Sequence, residues 1–216
     1  ASFLKRKTNL DIAVWALITC VSLMAGASGV VAEGHRSEFA EAVALVKQKE
    51  YSSAYLIFDK LAQDHDHDAQ FNAAIMLKKG MGHPANYKSA LKWSWLAELG
   101  GISKATELRD DLTSLVPEET QDLVRAEILQ ILQKRLDEGD KNVILQLAQY
   151  HISVAAEVDY QNAYALRALA AALNVKNAFE LRNDVEGELN AEDLTTAQDI
   201  AAKLFLDFKE TFAASE

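Results

Sequence analysis

The sequence has little that breaks a helix or closes a covalent loop. Only two prolines, Pro84 and Pro117, occur in 216 residues, so most of the chain keeps every backbone donor a helix needs. One cysteine, Cys20, excludes an internal disulfide and leaves residues 33–216 without thiol chemistry. Alternation of Val and Ile with polar residues is missing, which removes the signature of a half-buried strand. A compact Lys/Arg stripe is also lacking, as are a G-x-S-x-G elbow, a P-loop, a dinucleotide fingerprint and an H-E-x-x-H helix. No catalytic residue, metal ligand, cofactor or small-molecule substrate is therefore expected. What remains is half apolar and rich in Ala, Leu, Glu, Gln, Lys and Asp. These residues lose little on entering a helix, and they predict an all-α protein with a sizeable core.

Charge is unevenly placed. Lys5, Arg6 and Lys7 against Asp11 give residues 1–32 a charge of +2, and subtracting this from the net −10 leaves −12 on residues 33–216. A body this acidic repels phosphate backbones, so nucleic acid is not an expected partner, whereas a basic soluble protein is a reasonable one.

Ile12 to Ala32 carries no charge. As a helix rising about 1.5 Å per residue it would cover roughly 30 Å, the hydrocarbon thickness of a bilayer. The basic residues before it place 1–11 in the cytoplasm and the body outside, and Trp15 suits the interfacial aromatic belt. The expectation is a transmembrane signal-anchor in a bacterial inner membrane. The rival is a cleaved signal peptide ending at Val30-Val31-Ala32. A lipoprotein box at Leu17–Cys20 fits poorly, because apolar sequence runs on well past the cysteine. If the anchor is retained, Ser22/Gly26 and Ala25/Gly29 form pairs of small residues at i, i+4, a face on which another transmembrane helix could pack.

From Glu38 the apolar positions recur every three or four residues: Phe39, Val43, Val46, then Tyr55, Phe58, Leu61, with the polar turn Lys49–Ser52 between. That is an αα-hairpin. Further on, the chain matches itself without a gap at an offset of 73 (160 − 87). Asn86-Tyr87 lies over Asp159-Tyr160, Ala90 over Ala163, Leu96-Ala97 over Leu169-Ala170, and Glu107-Leu108-Arg109 over Glu180-Leu181-Arg182. The match continues into Pro117-Glu118-Glu119 over Asn190-Ala191-Glu192, each opening another amphipathic helix. Gapless identity at both helix contacts and connectors indicates a duplicated unit of four helices. The second copy is expected near Lys141–Ala155, Tyr160–Leu173, Ala178–Glu186 and Ala191–Phe212. The organisation predicted is 1–11 tail, 12–32 membrane helix and 33–216 repeat domain, the last divided into a leading hairpin (33–67), a first unit (68–140) and a second unit (141–216).

Asp68-Ala69-Gln70, Gly80-Met81-Gly82, Asn86-Tyr87, Ala90, Trp93, Ala97, Gly100 and Ala105 resemble the Sel-one-like repeat (SLR), a relative of the tetratricopeptide repeat. The match covers Asp68 to Leu108; the second unit keeps Asp159-Tyr160 and Ala163 but has Ser153–Val158 in place of the loop glycines. The resemblance implies an αα-hairpin solenoid that binds other proteins, often in the periplasm.

Asp64-His65-Asp66-His67-Asp68 could suggest a metal site, but adjacent residues of one run point apart, so a solvated acidic loop is expected. His35, His83 and His151 are isolated and read as surface or packing residues. Trp93 is read as a core position; Tyr87, Trp95, Tyr160 and Tyr164 are the candidate partner contacts on the repeat surface. Together these readings anticipate a non-enzymatic scaffold: an accessory subunit or assembly factor of an inner-membrane complex, electron-transfer complexes among the candidates.

Overall fold

The computed structural model describes residues 31–213, and over them it is helical throughout, with no strand. The helices are α1 Val31–Lys47, α2 Tyr51–Gln63, α3 His67–Lys79, α4 Tyr87–Leu99, α5 Ala105–Thr113, α6 Glu118–Asp137, α7 Ile144–Ser153, α8 Tyr160–Ala172, α9 Ala178–Glu186 and α10 Ala191–Ala213, with a 3-10 turn at Lys141–Val143. The membrane-helix expectation and its face of Ser22, Ala25, Gly26 and Gly29 lie outside the described residues. Among the described residues no helix is long and apolar enough to cross a bilayer.

Contacts divide the chain into two compact units, one ending at Glu118 and one beginning at Glu119. Whereas the repeat offset places α6 as the fourth helix of the first copy, the counterpart of α10, this division by contacts falls at the start of α6. The reason is that α6 is bonded to α7 and to the turns on either side of it. Tyr150 Oη donates to the Arg125 carbonyl at 3.0 Å, and Arg125 Nε donates to the Val154 carbonyl at 3.0 Å. Arg135 reaches Asp140 at 2.6 Å and Gln146 at 3.2 Å.

In the first unit each helix packs on its neighbours in the chain. The α1/α2 hairpin buries Ala42, Val46, Phe58 and Leu61, with Phe39 edge-on to Phe58 at 5.4 Å. The pairing of α3 with α4 is antiparallel: the Asn86 amide donates to the Leu77 carbonyl at one end, while Gly100 lies against the His67 ring at the other. In the second unit α8 is central, packing on α7, α9 and α10.

The duplication read from the sequence recurs in the backbone. Helices α4 and α8 begin at Tyr87 and Tyr160 and end at Leu99 and Ala172, and α5 and α9 run Ala105–Thr113 and Ala178–Glu186. Glu118 and Ala191 open α6 and α10. Every one of these pairs keeps the spacing of Tyr87 to Tyr160. Capping explains why. Asn86 Oδ1 accepts from the Ser89 amide at 3.0 Å, and at the matching place Asp159 Oδ1 accepts from the Asn162 amide at 3.0 Å, each satisfying an orphan first-turn donor. The other end is matched too. Gly101 (φ 92°) and Asn174 (φ 57°) both adopt the left-handed turn, and the residues after them, Ile102 and Val175, donate back to Ala97 and Ala170 at 3.0 and 2.9 Å. Asn is the residue that best replaces Gly there. Asn86→Ala and Asp159→Ala should each cost about 1 kcal/mol in urea unfolding; a loss at only one of them would break the equivalence.

The copies differ where the glycines differ. Gly80 and Gly82 hold positive φ before α4, while residues 153–158 have no left-handed residue. The bond closing the loop accordingly shifts by one residue: Asn86 donates to Leu77, but Asp159 donates to His151 rather than to Tyr150, the counterpart of Leu77.

Candidate interaction surface

Of the four repeat-surface residues expected from sequence, only Tyr87 is well exposed, at 41%. Tyr160 is half-buried against a cluster formed by Ala163, Tyr164, Val185 and Ala197. Trp95 and Tyr164 are core residues, 2% and 4% exposed, and this corrects their assignment as contacts. The cause is that α4 and α8 lie between other helices. In α4, Ala90, Leu91, Trp93, Ser94, Trp95, Leu96, Ala97 and Leu99 are all buried, so the side that a one-stripe reading gives to solvent is covered as well.

The Asp64–Asp68 run also departs from a free acidic loop. Asp66 caps α3, its Oδ1 accepting from the Ala69 amide at 2.8 Å, and His67 already belongs to the helix. The His67 ring sits 2.8 Å from Gln70 Oε1. Among the described residues no three His, Cys, Asp or Glu side chains are placed to hold a metal ion. His83 stacks obliquely on Tyr55 at 5.1 Å.

The fold shifts the titration of His151. Burial lowers its pKa, and Asp159, 3.8 Å away, opposes this only in part. The folded state thus prefers neutral imidazole. Its contribution is complete above the ordinary histidine value of 6.5 and is lost as the pH falls below that value. Asp140 and Asp159 are shifted mainly by other contacts, although the His151 charge also helps to lower Asp159. Burial would raise both carboxyls, but hydrogen bonds outweigh it and lower them: from Arg135 and the Asn142 amide to Asp140, and from Asn162 to Asp159. Their contribution is lost only below the ordinary value of 3.8. Between pH of about 7 and 5 the chain should lose stability, and His151→Gln should flatten that loss in thermal melts; the acid limb below about pH 4 should persist but shrink slightly, because the His151 charge also helps to lower Asp159.

Tertiary packing builds a concavity that the sequence does not show. A groove of about 400 Å³ runs between α3 and α5. Phe71, Ile75, Lys78 and Lys79 come from α3, spaced to share one helical face. Lys104, just before α5, and Glu107, Leu108 and Asp111 on it supply the opposite wall. Phe71, Ile75 and Leu108 are buried and form an apolar floor. Lys78 Nζ bonds Asp111 Oδ2 at 2.6 Å, linking the walls. Lys79 has no carboxylate partner among the described residues; burial, and then the neighbouring Lys78 charge, lower its pKa. The only sequence signal is the i, i+4, i+8 spacing of Phe71, Ile75 and Lys79, and it does not say which helix stands opposite.

No protein-family model matches the chain, and no curated protein matches it. Among solved structures, it is similar at 19% identity to a protective antigen present in uropathogenic Escherichia coli strains, described as displaying an SLR fold. That alignment has a TM-score of 0.40 and covers 83% of this chain but 32% of the antigen, so the chain spans about a third of the antigen's length.

Proposed function

We propose that this chain is a non-enzymatic protein-interaction module, held at a bacterial inner membrane by residues 12–32, with its helical body on the periplasmic side as an accessory subunit or assembly factor of a membrane complex. The observation that carries the interaction reading is the duplicated helical unit, whose boundaries, caps and C-terminal turns recur at one offset. Such units bury their apolar faces by stacking and present side surfaces to other proteins. Several polar side chains of the body have structural work. Asp66, Asn86, Asp140 and Asp159 cap helices, and Ser94 and Arg167 bond the carbonyls of the next helix, Ala105 and Leu181. The SLR-like motifs support the same reading, and tethering raises effective concentration enough for a modest surface contact to suffice.

Intact mass of the protein extracted from membranes in mild detergent, with its co-purifying subunits identified, tests this. A mass that retains residues 12–32, with stoichiometric integral subunits attached, is the expected result. A mature N-terminus near Glu33 in the soluble periplasmic fraction would overturn the anchored reading and leave an exported regulator of a sensor or envelope enzyme. A basic soluble partner, such as an electron carrier drawn to the −12 body, would show turnover that falls steeply with salt.

A further inference from the structure

The groove between α3 and α5 is out of character with the surface around it. Residues 33–216 carry a net −12, yet this concavity has three lysines against two acids, and one of those acids, Asp111, is engaged by Lys78. Its floor is apolar and its rim basic. We propose that it is the docking site for an acidic segment of a partner protein with an apolar anchor residue. The anchor seats on Phe71, Ile75 and Leu108, and flanking carboxylates meet Lys79 and Lys104. This rests on the interaction-module reading and names the chemistry of its partner.

Three features favour this occupant. First, the volume, about 400 Å³, accommodates an anchor side chain with its flanking backbone and falls in the range of sites that bury small ligands. Second, Lys78 is engaged by Asp111 while Lys79, on the same wall, has no carboxylate partner among the described residues, so an incoming acid meets a cation left without its counter-charge. Third, the charge is complementary only locally: a second copy of this chain would bring another −12 body, and long-range repulsion opposes that association. Glu107 sets the limit on the rim, since a carboxylate placed next to it is repelled, and this fixes the side from which the segment enters.

The test is fluorescence anisotropy of the full chain, in detergent, with a short labelled peptide of alternating glutamate and leucine. Two controls replace glutamate by lysine or leucine by serine. Expected are saturable binding of the glutamate–leucine peptide, weakening as salt rises from about 50 to 500 mM, and at least tenfold weaker binding of both controls. Lys79→Glu with Lys104→Glu should weaken binding about tenfold, and a cooperative melting curve of the variant checks that the loss is not one of folding. No binding of the glutamate–leucine peptide, equal binding of a control, or indifference to the charge reversal would each overturn the proposal. The two readings fail separately: no subunit co-purifying with the wild type overturns the module, whereas subunits that co-purify equally with the wild type and with the charge-reversed variant leave the module standing and exclude the groove as its docking site.

Discussion

Gly82→Ala is expected to destabilise the protein by about 3 kcal/mol, or to prevent the first unit from folding. Two causes add. Gly82 has φ 77°, a conformation costing an L residue about 1–2 kcal/mol. In addition, a Cβ there would overlap the Tyr51 carbonyl and the Ser52 amide, backbone at the start of α2 that no rotamer change can move aside. Forced overpacking of this kind costs about 1–3 kcal/mol. Gly80→Ala separates the two terms. Gly80 shares the positive φ, at 66°, but its added Cβ would meet nothing closer than 3.4 Å. It should therefore show the conformational cost alone, about 1–2 kcal/mol in urea unfolding. Equal effects at the two positions would mean that the approach of the loop to α2 is not what holds Gly82.

Arg167→Ala is the second large effect, at about 2–4 kcal/mol. Arg167 is 7% exposed in the middle of α8. Its Nη1 donates to the Leu181 carbonyl at 2.7 Å and its Nη2 to Gln149 Oε1 at 3.2 Å, joining α7, α8 and α9. Alanine would strand both acceptors and leave a void. Burial lowers the guanidinium pKa, with Asp184 opposing, so the charge itself is carried at a cost. Arg167→Met keeps the volume and removes that cost, and it should retain more stability than alanine does. At the matching position in the first unit, Ser94→Ala removes one bond, Oγ to the Ala105 carbonyl at 3.1 Å, and should cost about 1 kcal/mol. Chemical unfolding of the three variants decides the matter; a methionine variant weaker than the alanine one would show that the cation is needed where it sits.

This Ser94/Arg167 pair marks the limit of what the sequence match could tell. The offset aligned the two residues but could not say that both bond the next helix, because the acceptors are backbone carbonyls brought near by packing.

Local information was ample. Helix starts came from Asn86 and Asp159, whose side chains satisfy amides three residues on, and the chain turns where Gly101 and Asn174 permit a left-handed residue. These interactions span few residues, so composition and spacing encode them directly, and the four helices expected of the second unit lie within a few residues of their predicted ends. Burial was legible only for helices with one covered side. Phe58 and Leu61 fell on the predicted stripe, but Trp95 and Tyr164 did not reveal their burial, because α4 and α8 have neighbours on more than one face and periodicity records only one.

An all-helical chain, a repeat of fixed length and the caps that set its register are thus written in the residues themselves, because each depends on bonds within about five residues. Which polar residues become buried ties, why Gly82 admits no side chain and where a basic, apolar-floored groove opens in an acidic body are set by the three-dimensional packing. Those features join residues far apart in the chain, and only the packing of one helix on another brings them together.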